Sequence, residues 1–198
     1  MLSSFEKELL DSNILGIKSL EELYEAERNI TDIRQLELRK NGIEGKFDYQ
    51  HLKDIHHTLF KDIYSWSGMD RYDVGNHKVF RKGNTYFTRA EQLPNVAQIL
   101  FTSLATENYF KGLDENSTIS SLASFLNGIN ILHPFREGNG RTQRLFMEDL
   151  AKHLGYSLNL SNISQSVMIQ ASIQGYKGNL KGYEFIIQKN IKKDFLGQ

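Results

Sequence analysis

Apolar residues recur at steps of three and four along most of the chain, the spacing of one face of an α-helix. Residues 19–40 (SLEELYEAERNITDIRQLELRK) read as a helix that opens on Ser19 as its N-cap. Residues 48–65 follow, with Leu52, Ile55, Leu59 and Ile63 in one stripe. The stripe resumes near residue 89 and runs past Leu104, then returns over 118–132 through Ile119, Leu122, Leu126 and Ile129. Further helices are expected at about 139–153, 161–173 and 181–193. Only two prolines, Pro94 and Pro134, stand in the way of this pattern.

The stripe lapses over residues 66–88, which are rich in glycine, aspartate, asparagine and aromatics. There HKVF and TYFT flank RKGN, predicting a β-hairpin at about 77–88 with its turn at Gly83 and Asn84. The expected fold class is mainly α, a helical bundle with one small β-hairpin. A length of 198 residues suits one domain, and no internal repeat or low-complexity linker divides it.

Composition narrows the chemistry. Hydrophobic residues make up 39% and charged residues 24%, an ordinary globular balance. Cysteine is absent, which removes disulfides, thiolate metal sites and a cysteine nucleophile. The net charge is zero, so no bulk basic field argues for a nucleic-acid partner. Acidic residues gather in 1–27 and lysines in 177–193, a distribution expected of solvated helix faces. The opening MLSSFEKELLDSN lacks the basic and apolar regions of a secretory signal, and no run reaches the length of a membrane span. The expectation is a cytoplasmic protein without a membrane partner, delivery to another cell remaining open.

The chemistry concentrates in HPFREGNGRTQR, residues 133–144. Pro134 disfavours helix at the residue before it, so His133 stands at a helix exit where its side chain can leave the core. A lone histidine there would more often be a core or capping residue. The loop that follows changes the balance. Gly138 and Gly140 flank Asn139, permit positive φ and remove bulk, so that backbone N–H groups at a helix start can converge on an anion. Arg141 and Arg144 are three apart, share a helix face and suit phosphate oxygens. Glu137 supplies the hard oxygen that Mg²⁺ takes alongside substrate phosphates. Each part has an ordinary alternative, such as Arg144 pairing with Glu148 on the surface. Together they read as phosphoryl or nucleotidyl transfer. No Walker loop, GxGxxG or HExxH motif competes, and His51, His56 and His57 read as surface or partly buried polar residues.

The same twelve residues match, at every defined position, the signature of the Fic (filamentation induced by cyclic AMP) family, and the chain resembles that family over most of residues 50–175. DIYSWSG and RKGNTYF are also similar to it, the latter to its flap. The likeness is to bacterial Fic proteins, including small toxin-like forms and the Fic domains of secreted effectors. The resemblance implies an N-terminal helical extension over 1–47, a Fic core over 48–176 and a C-terminal helix over 177–198. It implies a protein adenylyltransferase that moves AMP from ATP to a serine, threonine or tyrosine hydroxyl and releases pyrophosphate. His133 would be the general base. Glu137 would hold Mg²⁺, and Gly138, Asn139 and Gly140 would cradle the phosphates through backbone and amide donors. Arg141 and Arg144 would hold the outer phosphates, and Phe135 would anchor the loop in the core. The target protein would lie along the hairpin, with Lys82 and Gly83 at its tip near the nucleotide.

Many Fic proteins are restrained by a helix bearing [S/T]xxxE[G/N], whose glutamate occupies the arginine equivalent to Arg144. SLATEN at 103–108 fits that pattern but lies between hairpin and motif, so it reads as coincidence. Inhibition, where it exists, is then expected from a separate small antitoxin protein. Two alternatives remain: a nucleotide-binding regulatory module of weak catalysis, and a Fic enzyme with another donor such as UMP or phosphocholine.

Overall fold

The protein is described by a computed structural model covering residues 2–194. Helix α1 (Ser4–Ser12) opens on a capping box, in which Ser3 and Glu6 satisfy each other's backbone N–H. Helix α2 (Leu20–Asn41) starts at the expected Ser19 cap and stops at Gly42, whose φ of 70° ends the helix. Helix α3 (Tyr49–Phe60) follows, capped by Asp48. Residues 61–68 continue as turns, so the helix expected to reach 65 ends five residues earlier. Strands β1 (Arg81–Lys82) and β2 (Thr85–Tyr86) form the antiparallel hairpin, with Lys82 opposite Thr85 around the Gly83–Asn84 turn.

Helices α4 (Leu93–Thr106), α5 (Glu115–Leu132) and α6 (Asn139–His153) come next. The start of α5 lies three residues before the expected one, at the Asp114 cap. Strand β3 (Tyr156–Leu158), α7 (Gln165–Tyr176), α8 (Lys181–Asn190) and strand β4 (Ile191–Lys193) complete the described chain. β3 and β4 pair antiparallel, Ser157 opposite Lys192. The C-terminal segment 177–198 is therefore not helical throughout: α8 ends at Asn190, and residues 195–198 lie outside the described residues. Neither α1 nor the β3–β4 pair was expected from the pattern of the chain.

Helices α5 and α6 sit at the centre. Leu122, Leu126, Ile129 and Leu132 of α5 are fully buried, as are Phe146, Met147 and Leu150 of α6. α3 packs on α6, while α4, α7 and α8 pack on α5. Two polar residues of α3 join this core. His51 and His56 are 1% and 0% exposed, which corrects the expectation that they are surface or partly buried residues. The interior tolerates them because each is neutral and meets polar or aromatic partners.

Helix α2 is unusual in what it buries. Its inward residues are Leu23, Glu27, Thr31 and Gln35, spaced four apart, while Ile33 and Leu36 face solvent. Three of the four inward positions are polar, while Leu23, Ile30 and Leu38 pack on the apolar core. Among the described residues no helix is long and apolar enough to cross a membrane.

Candidate active site

His133 closes α5 in the left-handed conformation (φ 42°, ψ 59°), and its N–H bonds to the Ile129 carbonyl. A non-glycine residue there is uncommon and costs energy. Neighbouring contacts hold it. The imidazole Nδ1 lies 3.3 Å from the Asn130 carbonyl, which can only accept, so the proton sits on Nδ1. The Nε2 lone pair is then available, and that atom is buried without a partner. Burial, above all, pushes the imidazole well below its ordinary pKa, and the Lys82 and Arg71 charges add to this against the Asn130 bond. His133 is neutral at physiological pH, the state a base requires. The ring of Phe87, at the foot of the hairpin, stacks on it at 3.8 Å.

The loop from Pro134 to Gly138 is bound to itself and to α3. Asn139 bonds one residue through both ends of its side-chain amide: Oδ1 accepts from the Phe135 N–H at 2.9 Å and Nδ2 donates to the Phe135 carbonyl at 2.7 Å. That amide shapes the loop, and Nδ2 keeps a second hydrogen beside the backbone donors expected there. Phe135 is buried and stacks on His56 at 3.8 Å, the anchoring role expected of it. His56 accepts from the Gly68 N–H through Nδ1, so its Nε2 carries the proton and donates to the Glu137 carbonyl at 3.2 Å. Burial pushes His56 down to about 3.

Gly138 has φ 79°, and a Cβ there would meet the Phe60 ring at 2.2 Å. No side chain caps α6 at this end. The amides of its first turn are therefore open to an anion, with the helix dipole in its favour. At Gly140 a Cβ would have ordinary room, 3.6 Å from Arg144. Packing does not demand glycine there; an open approach from the cavity side suits it.

The two arginines differ. The Arg141 guanidinium lies over Phe60 and is already engaged: Nη2 donates to Glu27 at 2.6 Å and to Glu137 at 3.4 Å, and Nη1 to Thr31 at 3.1 Å. Glu27 also accepts from the Tyr64 hydroxyl at 2.5 Å. Arg144 instead has a buried, unpartnered Nε, and burial lowers its pKa from the ordinary value. The alternative pairing of Arg144 with Glu148 does not form, because Glu148 accepts from Arg39 at 2.8 Å and from the Leu160 N–H at 2.9 Å.

These groups open onto one cavity of about 860 Å³. His133, Glu137, Gly138, Gly140, Arg141 and Arg144 line one side of it. Lys82 and Gly83 of the hairpin line another, and Met168, Ile169 and Ile173 of α7 give an apolar wall. Every expected site residue except Asn139 borders this space. The hairpin tip reaches it, which the chain's pattern alone did not decide.

Sequence reasoning overlooked three supporting residues. Glu27 had a signal, the step-of-four row of inward polar residues on α2. His56 had one too, since it falls within the apolar stripe of α3. Arg71, which is fully buried and bonds to the His133 carbonyl, had none.

A cavity at an uncapped helix start, floored by a neutral histidine and two arginines beneath a hairpin, is the candidate site of this helical domain. The Fic/DOC family profile matches residues 46–151, and the chain belongs to that family. It is 37% identical to the protein adenylyltransferase VbhT of Bartonella schoenbuchensis over 180 residues, 90% of this chain but 36% of VbhT. It is 31% identical to the Fic protein of Escherichia coli K12 over 181 residues, 91% of this chain and 87% of that one. The fold superposes on the N-terminal Fic domain of a VirB-translocated effector of Bartonella quintana with bound ADP, with TM-score 0.84, 28% identity and coverage of 92% and 91%.

Proposed function

We propose that the protein is a protein adenylyltransferase. The observation that carries this is His133: a neutral, Nδ1-protonated imidazole with an unpartnered Nε2, beside a helix start that no side chain caps. In this reading ATP lies in the cavity with its phosphates at the first turn of α6. The hydroxyl oxygen of a target serine, threonine or tyrosine attacks the α-phosphorus. The bond to pyrophosphate breaks, and His133 Nε2 takes the hydroxyl proton. Membership of a family with named adenylyltransferases supports the donor and the leaving group.

The remaining groups follow from their settings. Arg144, unpaired and half-enclosed, reaches for the outer phosphates. Arg141, balanced by Glu27, is a fixed strut that offers its remaining face to the phosphates. Donors toward phosphate oxygens come from the backbone at Gly138, Asn139 and Gly140, and Lys82 and Gly83 close over the nucleotide. The Glu137 carboxylate is one hard oxygen donor beside a phosphate site, which fits Mg²⁺, an ion usually held by one or two carboxylates and substrate oxygens. Bound there, Mg²⁺ would neutralise phosphate charge. The target would add an extended segment to the hairpin edge through main-chain hydrogen bonds. Arg144 forms no ion pair with a carboxylate among the described residues, and Glu107 of SLATEN accepts from Ser103 instead. Inhibition, where it exists, would then come from a separate small protein that presents a carboxylate to Arg144.

The test uses purified protein and His133→Ala, each with Mg²⁺ and ATP in cell lysate. Label from the α-phosphate, absent from the γ-phosphate and reduced at least about 100-fold in His133→Ala, is expected of a general base. Label arriving from the γ-phosphate would make the protein a kinase instead.

A further inference from the structure

Arg71 lies outside the motif, yet it contacts both halves of the site. Its side chain is 0% exposed. Nε donates to the His133 carbonyl at 3.1 Å, and Nη2 donates to the Thr88 carbonyl at 2.6 Å and the Leu132 carbonyl at 3.5 Å. The guanidinium lies 4.9 Å from the centre of the Phe80 ring. Its own N–H bonds to the Pro134 carbonyl at 2.8 Å. Leu132 and His133 end α5, whereas Phe80 and Thr88 bracket the hairpin. A single fork thus spans the residue before the motif, the base itself and the two feet of the hairpin.

We propose that Arg71 is a positioning residue for transfer, fixing the hairpin relative to His133 through the Thr88 and His133 carbonyls. The proposal rests on reading this site as a transferase. A target segment carried on the hairpin presents its hydroxyl to Nε2 only if hairpin and base keep one spacing. Three further contacts run along the same joint. Thr88 donates to the Ile131 carbonyl through its N–H at 3.0 Å, the Phe87 N–H bonds to the Phe80 carbonyl at 3.1 Å, and the Phe87 ring stacks on His133.

Cohesion alone is a poor explanation for this side chain. Burying a guanidinium is costly, and the Arg71 Nη1 is left with no acceptor. An apolar residue of similar volume would hold a core together at least as well. What an apolar residue lacks is directional reach: only a planar fork meets carbonyls from two separate segments at once.

Arg71→Met, Arg71→Lys and Phe80→Leu test this. Three readouts are taken: amide exchange in the nucleotide-free protein, Mg²⁺–ATP affinity by calorimetry, and transfer of α-labelled AMP in a fixed amount of lysate. In Arg71→Met the Phe87 and Thr88 amides should exchange at least about tenfold faster relative to α6 amides, through local opening of the hairpin. ATP affinity should stay within about threefold, while transfer at saturating ATP falls about 10–100-fold, the scale of a misplaced reacting group. Arg71→Lys should keep that loss, since one ammonium restores charge but not the fork. Phe80→Leu leaves the carbonyl bonds intact and should lose only several-fold, which tests the same joint in a variant that keeps Arg71. Unchanged hairpin exchange, or full transfer despite faster exchange, overturns the positioning role. A loss accounted for entirely by a smaller folded fraction also overturns it. If the wild-type chain binds ATP but transfers no label, the transferase reading itself falls, and the exchange data judge the tie alone.

Discussion

At the scale of single residues the site depends on neutral histidines. The folded pKa values of His51, His56 and His133 all lie below the ordinary value, with burial the largest cause. Below about pH 6.5 the unfolded chain binds protons that the folded chain refuses. Stability is therefore full above that pH and declines as pH falls, for His56 down to about pH 3. At pH 5.5 the loss from His56 alone is about 1 kcal/mol. Urea unfolding at pH 7.5 and 5.5 checks this, and equal free energies at the two would contradict it. Under the proposed role of His133, its own downward shift would govern the rate. With His133 unprotonated through the neutral range, AMP transfer should stay level from pH 8 to pH 6 and fall only under more acid conditions. A rate that halves near pH 6.5 would indicate a solvated histidine as base. Gly138 gives a steric counterpart: Gly138→Ala combines a strained φ with a Cβ that overlaps Phe60. It should cost about 2–4 kcal/mol and weaken ATP binding, read by thermal unfolding and calorimetry.

At the scale of elements the polar face of α2 matters most. Glu27 carries the Arg141 and Tyr64 bonds, and it is 6% exposed. Glu27→Ala leaves a largely buried guanidinium and a phenol unsatisfied and should cost about 3 kcal/mol in chemical denaturation. Glu27→Gln keeps hydrogen-bonding atoms and should cost less. A double-mutant cycle with Arg141→Ala should return a coupling of at least about 1 kcal/mol, and additive losses would mean that the pair is incidental. This contact also marks how far the chain could be read beforehand. Long amphipathic stripes made α2, α5 and α6 legible, the last with both of its ends. The motif singled out His133, Glu137, Gly138 and Gly140, which border one cavity, because they lie within twelve residues. Glu27 and Arg141 are 114 positions apart, and no periodicity reports a partner at that distance. Strands β3 and β4 escaped for a different reason. Three residues each carry too little alternation to be separated from helix, and Ile191 extends the apolar run of α8.

At the scale of the whole molecule the question is whether residues 1–47 form an appendage or part of the domain. The family profile begins at residue 46. The contacts reach across that boundary. Leu9 and Leu23 belong to the main core. The Trp66 indole N–H donates to Ser12 Oγ at 2.8 Å, and the Ile14 N–H bonds to the Ile63 carbonyl at 2.8 Å. Glu8 pairs with Arg136, a motif residue, as Glu27 does with Arg141. Removing residues 1–41 would therefore expose apolar surface, leave Arg136 without Glu8 and leave Arg141 with Glu137 as its remaining carboxylate. Each loss is large against a total stability of about 5–15 kcal/mol. The expected result is a fragment 42–198 that shows no cooperative unfolding transition and no calorimetric binding of Mg²⁺–ATP, while the full chain shows one transition and binds. A fragment that unfolds cooperatively and binds ATP with unchanged affinity would make the two N-terminal helices a separate unit. A fragment that folds but binds ATP weakly would assign them chiefly to the placement of Arg136 and Arg141. That case would be tested by adding Arg141→Ala to the fragment, which should then change little.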